Sequence, residues 1–157
     1  MAVHIFIHGL DSSNQGTKAV FFREKYPDMI IPTFTGGLQE RMACLNDILS
    51  GKSDIRMVGS SFGGLMGTLF ASARQSALRR LILLAPAIHV IHALPQPIGP
   101  VSVPVTVYHG RGDEVIPLEK VSDAAKACFS DLDFHVVDDD HFLHKTFKSI
   151  DWDTLLR

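Results

Sequence analysis

The sequence predicts an α/β protein in which about six mainly parallel strands are flanked by helices on both faces of the sheet. Short apolar runs typical of buried strands alternate with longer segments whose apolar residues recur at helical spacing. Polar stretches rich in turn-forming residues follow several of the apolar runs, as expected of loops that leave a parallel sheet. The 157 residues are enough for one sizeable core and too few for two. We therefore expect residues 1–157 to form a single domain.

The predicted strands and helices follow one another without a linker or an internal repeat. Residues 3–7 form a short apolar run, as expected of a strand buried on both faces, whereas Pro32 places the second strand at a sheet edge. Residues 81–85 are the most apolar run and are predicted to be central. The predicted strands are 3–7, 29–32, 55–58, 81–85, 105–108 and 134–137. The predicted helices are 17–25, 38–49, 62–76, 118–129 and 144–156.

Residues 86–104 differ in character from the rest of the chain. They contain five of the eight prolines, which leaves little room for regular structure. The segment is also too short to form a separate domain over a site at the strand ends. The sequence therefore predicts a shallow and open site.

Bulk composition limits the classes of function. The formal net charge is −2 and the basic residues are scattered, so we expect neither a nucleic-acid partner nor a membrane partner. Cys44 and Cys128 stand alone in separate helices and are predicted to be reduced and buried. The N-terminus enters a strand directly and no apolar run is long enough to span a bilayer. These features predict a cytoplasmic protein.

The stretch from Val58 to Gly64 contains Gly-x-Ser-x-Gly between a predicted strand and a predicted helix. In that place the motif forms a sharp turn that presents one hydroxyl at its tip. Its frame assigns Ser61, not the adjacent Ser60, as the nucleophile. Gly63, Gly67 and Ala71 recur every four residues, so one face of the helix is bare enough to lie close to a sheet. An ordinary glycine-rich turn, or a cradle for a phosphate group, remains the alternative.

Two later loops carry the partners that a serine nucleophile needs. A serine hydroxyl requires a base to take its proton and a third group to orient that base. Asp113 follows the fifth predicted strand and His141 follows the sixth, so the order along the chain is Ser, Asp, His. Glu114 as the acid and His144 as the base remain open. So does assistance to His141 from an aspartate of residues 138–140.

Four segments together resemble the α/β-hydrolase superfamily: Ile7-His8-Gly9, the stretch from Gly59 to Gly64, the run from Gly112 to Pro117, and Asp140-His141. The run from His8 to Ser13, with Gly16-Thr17-Lys18 after it, is similar to the small lidless YqiA-like esterases. The resemblance covers essentially the whole chain, which would begin at the third strand of a full-length hydrolase fold. It implies a minimal form of that fold without a cap domain.

The resemblance also implies the roles of the site residues. Ser61 would be the nucleophile, His141 the base and Asp113 the orienting acid. The backbone N–H groups of Leu10 and Phe62 would form the oxyanion hole. The candidate acyl-pocket residues are Ile88, Ile91 and Leu94, for which ordinary packing is an equal alternative. His8 is expected to be structural.

The expected reaction is the hydrolysis of a small-molecule carboxylic ester with a short acyl group, without a cofactor. Thioesters and amides need the same machinery, so the sequence does not separate them from esters. A binding module that has lost turnover is the alternative from another class. Two pairs of histidines are spaced at i, i+3, which is compatible with metal binding. No third or fourth ligand is evident, so no metal site is expected. The oligomeric state is left open.

Overall fold

The computed structural model describes residues 1–157. A five-stranded parallel sheet forms its centre, in the order β1-β2-β3-β4-β5. The strands are β1 (Val3–Ile7), β2 (Ile55–Ser60), β3 (Leu78–Leu84), β4 (Val105–Gly110) and β5 (Leu132–Val137). The α-helices are α1 (Thr17–Lys25), α2 (Leu38–Ile48), α3 (Phe62–Ala73), α4 (Leu118–Cys128) and α5 (Trp152–Leu155). The predicted α/β architecture with a parallel sheet is confirmed.

Apolar side chains cover both faces of the sheet, because successive side chains of a strand point to opposite faces. Met57 and Leu83 belong to a core cluster that also contains residues of α2, α3 and α4. Val58 and Ile82 belong to a second cluster, formed with residues of α1 and of the C-terminal segment. Helices therefore lie on both faces, as predicted. None of them combines the length and the hydrophobicity needed to cross a bilayer.

The predicted second strand is reduced to one residue at the edge of the sheet. Ile30 donates a hydrogen bond to the carbonyl of His4 at 2.8 Å and accepts one from the N–H of Phe6 at 3.0 Å. The next donor of such a ladder would be residue 32, which is proline and has no N–H. The pairing therefore stops after a single parallel bridge.

The predicted helix over residues 144–156 is wrong in its extent. The chain instead forms a 3₁₀ turn at Phe147–Ser149 and then the short α5. The buried carboxylate of Asp139 accepts hydrogen bonds from the N–H groups of Lys145 and Thr146, at 2.9 and 2.8 Å. These two bonds hold the start of the segment in a turn. Asp139 is therefore a buried residue that stabilises this segment.

The segment between β3 and β4 contains a 3₁₀ helix at Ile88–Ala93 and a single bridge between Val101 and Phe129. No domain is inserted there. Cys128 is buried as predicted, whereas Cys44 is exposed, because α2 turns it away from the core.

Helix α3 lies unusually close to the strands beneath it. A Cβ atom on Gly63 would collide with the carbonyl oxygens of Ile7 and His8, and one on Gly59 would collide with the carbonyl of Gly63. Two turns further on, Ala71 is completely buried. The bare face predicted for this helix is therefore the face that packs on the sheet, and it fixes the height of Ser61 above the strand ends.

Gly63→Ala should lower the free energy of unfolding by about 2–3 kcal/mol, because the new methyl group meets backbone atoms that cannot rotate away. Gly37→Ala is the matched control, since a Cβ at Gly37 would have no atom within 4 Å. The control should cost less than about 1 kcal/mol. Urea denaturation of the three proteins measures both values, and equal losses in the two variants would contradict this packing argument.

Candidate active site

Ser61 occupies the turn between β2 and α3 with φ 54° and ψ −116°. This region of backbone space is unfavourable for a residue with a Cβ, so the surroundings must hold it there. The Ser61 N–H donates to the carbonyl of Leu84 at 2.9 Å, and the Ser61 carbonyl accepts from the N–H of Ala87 at 2.9 Å. Leu84 is the last residue of β3, and Ala87 lies three residues beyond it. The neighbouring strand therefore helps to hold the turn in place.

The structure brings Ser61, His141 and Asp113 together. The Oγ of Ser61 lies 3.2 Å from Nε2 of His141, and Nδ1 of His141 lies 2.7 Å from Oδ2 of Asp113. A carboxylate only accepts hydrogen bonds, so Nδ1 carries the proton and Nε2 is free to accept the serine proton. The Asp113 side chain is completely buried. The three side chains form one continuous series of hydrogen bonds.

The carboxylate of Asp113 is held by its own loop. Its Oδ1 accepts hydrogen bonds from the N–H groups of Val115 and Ile116, both at 2.8 Å. This leaves Oδ2 to face the imidazole of His141. Glu114, the alternative acid, is exposed. The geometry therefore favours Asp113.

A second histidine, His109 at the end of β4, also contacts Asp113. Its Nε2 lies 2.9 Å from the carbonyl oxygen of Ile116 and 3.3 Å from Oδ2 of Asp113. Both oxygens are acceptors, so Nε2 must carry a proton. Burial lowers the pKa of His109, and the ring is therefore neutral at pH 7. Sequence reasoning missed this contact; the His-Gly pair that precedes the Asp113 loop was its only signal.

The other histidine and aspartate candidates point elsewhere. Nδ1 of His144 lies 2.6 Å from Oδ2 of Asp140, and both side chains are exposed. Burial acts to raise the pKa of Asp139, but hydrogen bonds from Thr146 and from neighbouring N–H groups outweigh it and lower that pKa. Asp139 thus stabilises the loop that carries His141 instead of contacting the imidazole.

The loop after β1 lies against the nucleophile. A Cβ atom on Gly9 would be 3.3 Å from Cβ of Ser61, which is tighter than an ordinary contact, so glycine favours this close approach. The N–H of Leu10 follows directly and has no acceptor within the chain. The N–H of Phe62 is the first of α3 and has no intrahelical acceptor. Both N–H groups therefore lack an acceptor within the chain, and they belong to residues directly after Gly9 and Ser61, on the two loops that the sequence indicated.

His8 lies beneath this loop and is 1% exposed. Its Nε2 accepts the N–H of Phe34 at 2.8 Å, and its Nδ1 lies 2.6 Å from the carbonyl of Gly9. Burial, opposed by the Gly9 hydrogen bond and reinforced by the charge of Arg41, lowers the pKa of His8. These contacts match the structural interpretation of this histidine.

The three candidate acyl-pocket residues are not grouped around the hydroxyl. Ile88 is completely buried in the core. Ile91 and Leu94 line a cavity of about 360 Å³, whose other walls are His92, the residues from Pro97 to Pro100, Ala127 and Cys128. Gly99 of that wall accepts a hydrogen bond from Ser72. Ser72 lies eleven residues beyond Ser61, or about 16 Å along α3. The cavity and the hydroxyl are therefore separate.

No protein-family model and no curated protein matches this chain. Solved structures do match. The mouse alpha/beta hydrolase domain-containing protein 10 has a TM-score of 0.78 and 23% identity, over 97% of this chain and 90% of its own. Est1E from Butyrivibrio proteoclasticus, with ferulic acid bound, has a TM-score of 0.75 and 17% identity, over 99% and 86%. A serine hydrolase homologue from Coxiella burnetii has a TM-score of 0.72 and 17% identity, over 100% and 85%. The chain therefore has the α/β-hydrolase fold.

Proposed function

We propose that the protein is a serine hydrolase that cleaves carboxylic esters through an acyl-enzyme on Ser61. The observation that carries this proposal is the continuous hydrogen-bonded series of Ser61, His141 and Asp113. The N–H groups of Leu10 and Phe62, which have no acceptor within the chain, are the candidate oxyanion donors. Similarity of fold to proteins named as an alpha/beta hydrolase domain-containing protein and as a serine hydrolase homologue supports it. Fold alone does not imply function, so the weight rests on the geometry of the site.

Acylation begins when Nε2 of His141 takes the proton of the Ser61 hydroxyl. The Ser61 oxygen then bonds to the carbonyl carbon of the ester, and the carbonyl π electrons move onto oxygen. The N–H groups of Leu10 and Phe62 donate hydrogen bonds to that oxyanion. When the carbonyl reforms, the bond to the alcohol oxygen breaks, and this oxygen takes the proton from His141. Asp113 stabilises the imidazolium between the two transfers.

Deacylation repeats the same steps with water. His141 takes a proton from a water molecule, whose oxygen attacks the acyl carbon. The same two N–H groups hold the second oxyanion. Collapse of this intermediate breaks the bond to Ser61, whose oxygen regains a proton from His141. The acid leaves, and no cofactor takes part.

The surroundings of the site support a small substrate. No domain covers the strand ends between β3 and β4, so the hydroxyl is reached from an open surface. We therefore propose esters with small or short acyl groups, and we include membership of the YqiA-like group and a cytoplasmic location in the proposal. Thioesters and amides react by the same steps. A silent binding module would not need the hydrogen bond between Ser61 and His141.

Ser61→Ala should abolish ester hydrolysis and leave the fold intact, because it removes only the attacking oxygen. Ser60→Ala is the matched control, and it should change turnover by less than about tenfold because it leaves the Ser61 hydroxyl in place. The wild-type protein and the control should take up a fluorophosphonate probe, and Ser61→Ala should not. A wild-type protein that neither hydrolyses esters nor takes up the probe would support the binding module instead.

Asp113→Asn should lower kcat by about 10³–10⁴-fold, because an amide no longer enforces the tautomer of His141 and no longer balances its positive charge. Glu114→Gln is the control at the exposed neighbouring position and should retain activity. A loss of less than about tenfold in Asp113→Asn would mean that another acid orients the histidine.

The acyl preference can be measured with p-nitrophenyl esters of graded chain length, with a thioester and an amide of the same acyl group beside them. We expect kcat/KM to be highest for the shortest chains, because no inserted domain between β3 and β4 is present to enclose a long acyl chain. A clear preference for chains of eight carbons or more would contradict the substrate class while leaving the mechanism intact.

A further inference from the structure

Arg41 of α2 is a buried cation without an anionic partner. The residue is 5% exposed. None of the ion pairs in the structure involves it. An arginine keeps its proton under all ordinary conditions, so the charge cannot be removed by titration. A buried charge that lacks a counterion is unfavourable and calls for a physical explanation.

The contacts of Arg41 lead to the two residues that carry the proposed oxyanion donors. Its Nη2 lies 3.5 Å from the carbonyl oxygen of Leu10, and its guanidinium carbon lies 5.5 Å from the centroid of the Phe62 ring. Its Nε donates a hydrogen bond to the carbonyl of Gly36 at 2.8 Å, which fixes the plane of the group. Its Nη1 is buried and has no partner.

The positive charge of Arg41 therefore acts on the loop after β1. The lowered pKa of His8 arises mainly from burial, and the charge of Arg41 adds to it. In the resting protein no carboxylate lies within ion-pair distance of this charge. A negative oxygen forms beside Leu10 and Phe62 only in the tetrahedral intermediate, and fixed positive charges near such an oxygen stabilise it without reorganisation.

We propose that Arg41 is a positioning residue of the oxyanion hole. It contacts the Leu10 carbonyl and so holds Leu10 with its own N–H facing the substrate, and its charge stabilises the oxyanion from behind both donors. The inference rests on the proposed serine hydrolase function. It makes no claim that Arg41 touches substrate, since the guanidinium is buried.

The experiment compares three variants with the wild-type protein. Arg41→Met replaces the side chain with an unbranched apolar one and removes the charge. Arg41→Lys keeps the charge but loses the planar guanidinium with its several N–H donors. Arg74→Met is the matched control, because Arg74 lies over the Phe70 ring at the same 5.5 Å but at the other end of α3. The measurements are kcat and KM for p-nitrophenyl acetate, Tm, fluorophosphonate labelling, and the inhibition constant of phenylboronic acid. Phenylboronic acid forms an anionic tetrahedral adduct on a reactive serine.

We expect Arg41→Met to lower kcat by about 10- to 100-fold with little change in KM, since the lost interaction is made only in the transition state. The inhibition constant of phenylboronic acid should rise by a similar factor. Arg41→Lys should retain part of the activity, and Arg74→Met should retain all of it. Labelling of Ser61 by the fluorophosphonate should persist in every variant.

A folded Arg41→Met variant with kcat and boronate affinity within twofold of the wild-type values would overturn the inference. If Arg41→Met does not fold, Arg41→Lys decides: a loss of activity that only follows a loss of Tm, with boronate affinity unchanged, means a structural role and overturns it as well. Absence of both labelling and hydrolysis in the wild-type protein is a different result, which overturns the proposed function and this inference with it.

Discussion

The arrangement of the site depends on the strained turn at Ser61. A serine with positive φ persists here because its N–H and its carbonyl bond to the end of β3 and to Ala87 beyond it, while glycines on either side let α3 press against β1 and β2. Each of these contacts fixes the position of the hydroxyl relative to a different strand. If the turn relaxed, Oγ would leave both the imidazole and the free N–H groups, although the sheet would stay folded. The backbone conformation of this turn thus determines both how α3 packs on the sheet and where the Ser61 hydroxyl lies.

The hydroxyl lies between two buried charges of opposite sign. On one side the Asp113 carboxylate accepts hydrogen bonds from two backbone N–H groups and from His141, and it contacts His109, so its negative charge is stabilised in place. On the other side Arg41 has carbonyl and aromatic contacts but no anion. Charge separation in the proposed reaction puts a cation on His141 and an anion on the substrate oxygen. The resting protein already contains a counter-charge at each of these ends, so little rearrangement is required when the charges develop.

Structural features that short motifs and periodicity determine were predicted from the sequence. Features that depend on contacts between residues far apart in the chain were not. Each of Ser61, Asp113 and His141 follows a strand and lies in a loop, which is a pattern that a short stretch of sequence shows. Because parallel strands end at the same edge of the sheet, these three loops are expected to lie near one another. The shortened edge at Ile30 results from one missing N–H at Pro32, and the broken last helix results from Asp139 bonding six and seven residues ahead. His109 and Arg41 gave no periodic signal, because their importance arises from neighbours across the fold. Ile91 and Leu94 satisfied an apolar pattern but line a separate cavity.

The order of the strands across the sheet is the same as their order along the chain. During synthesis on a ribosome, each new strand can therefore join the last one already in place, and the sheet can grow in one direction. The nucleophile turn belongs to the second strand, whereas the histidine arrives only after the fifth. In the proposed mechanism, a nascent chain therefore holds Ser61 without its base until the loop after β5 has left the ribosome, and hydrolysis can begin only then.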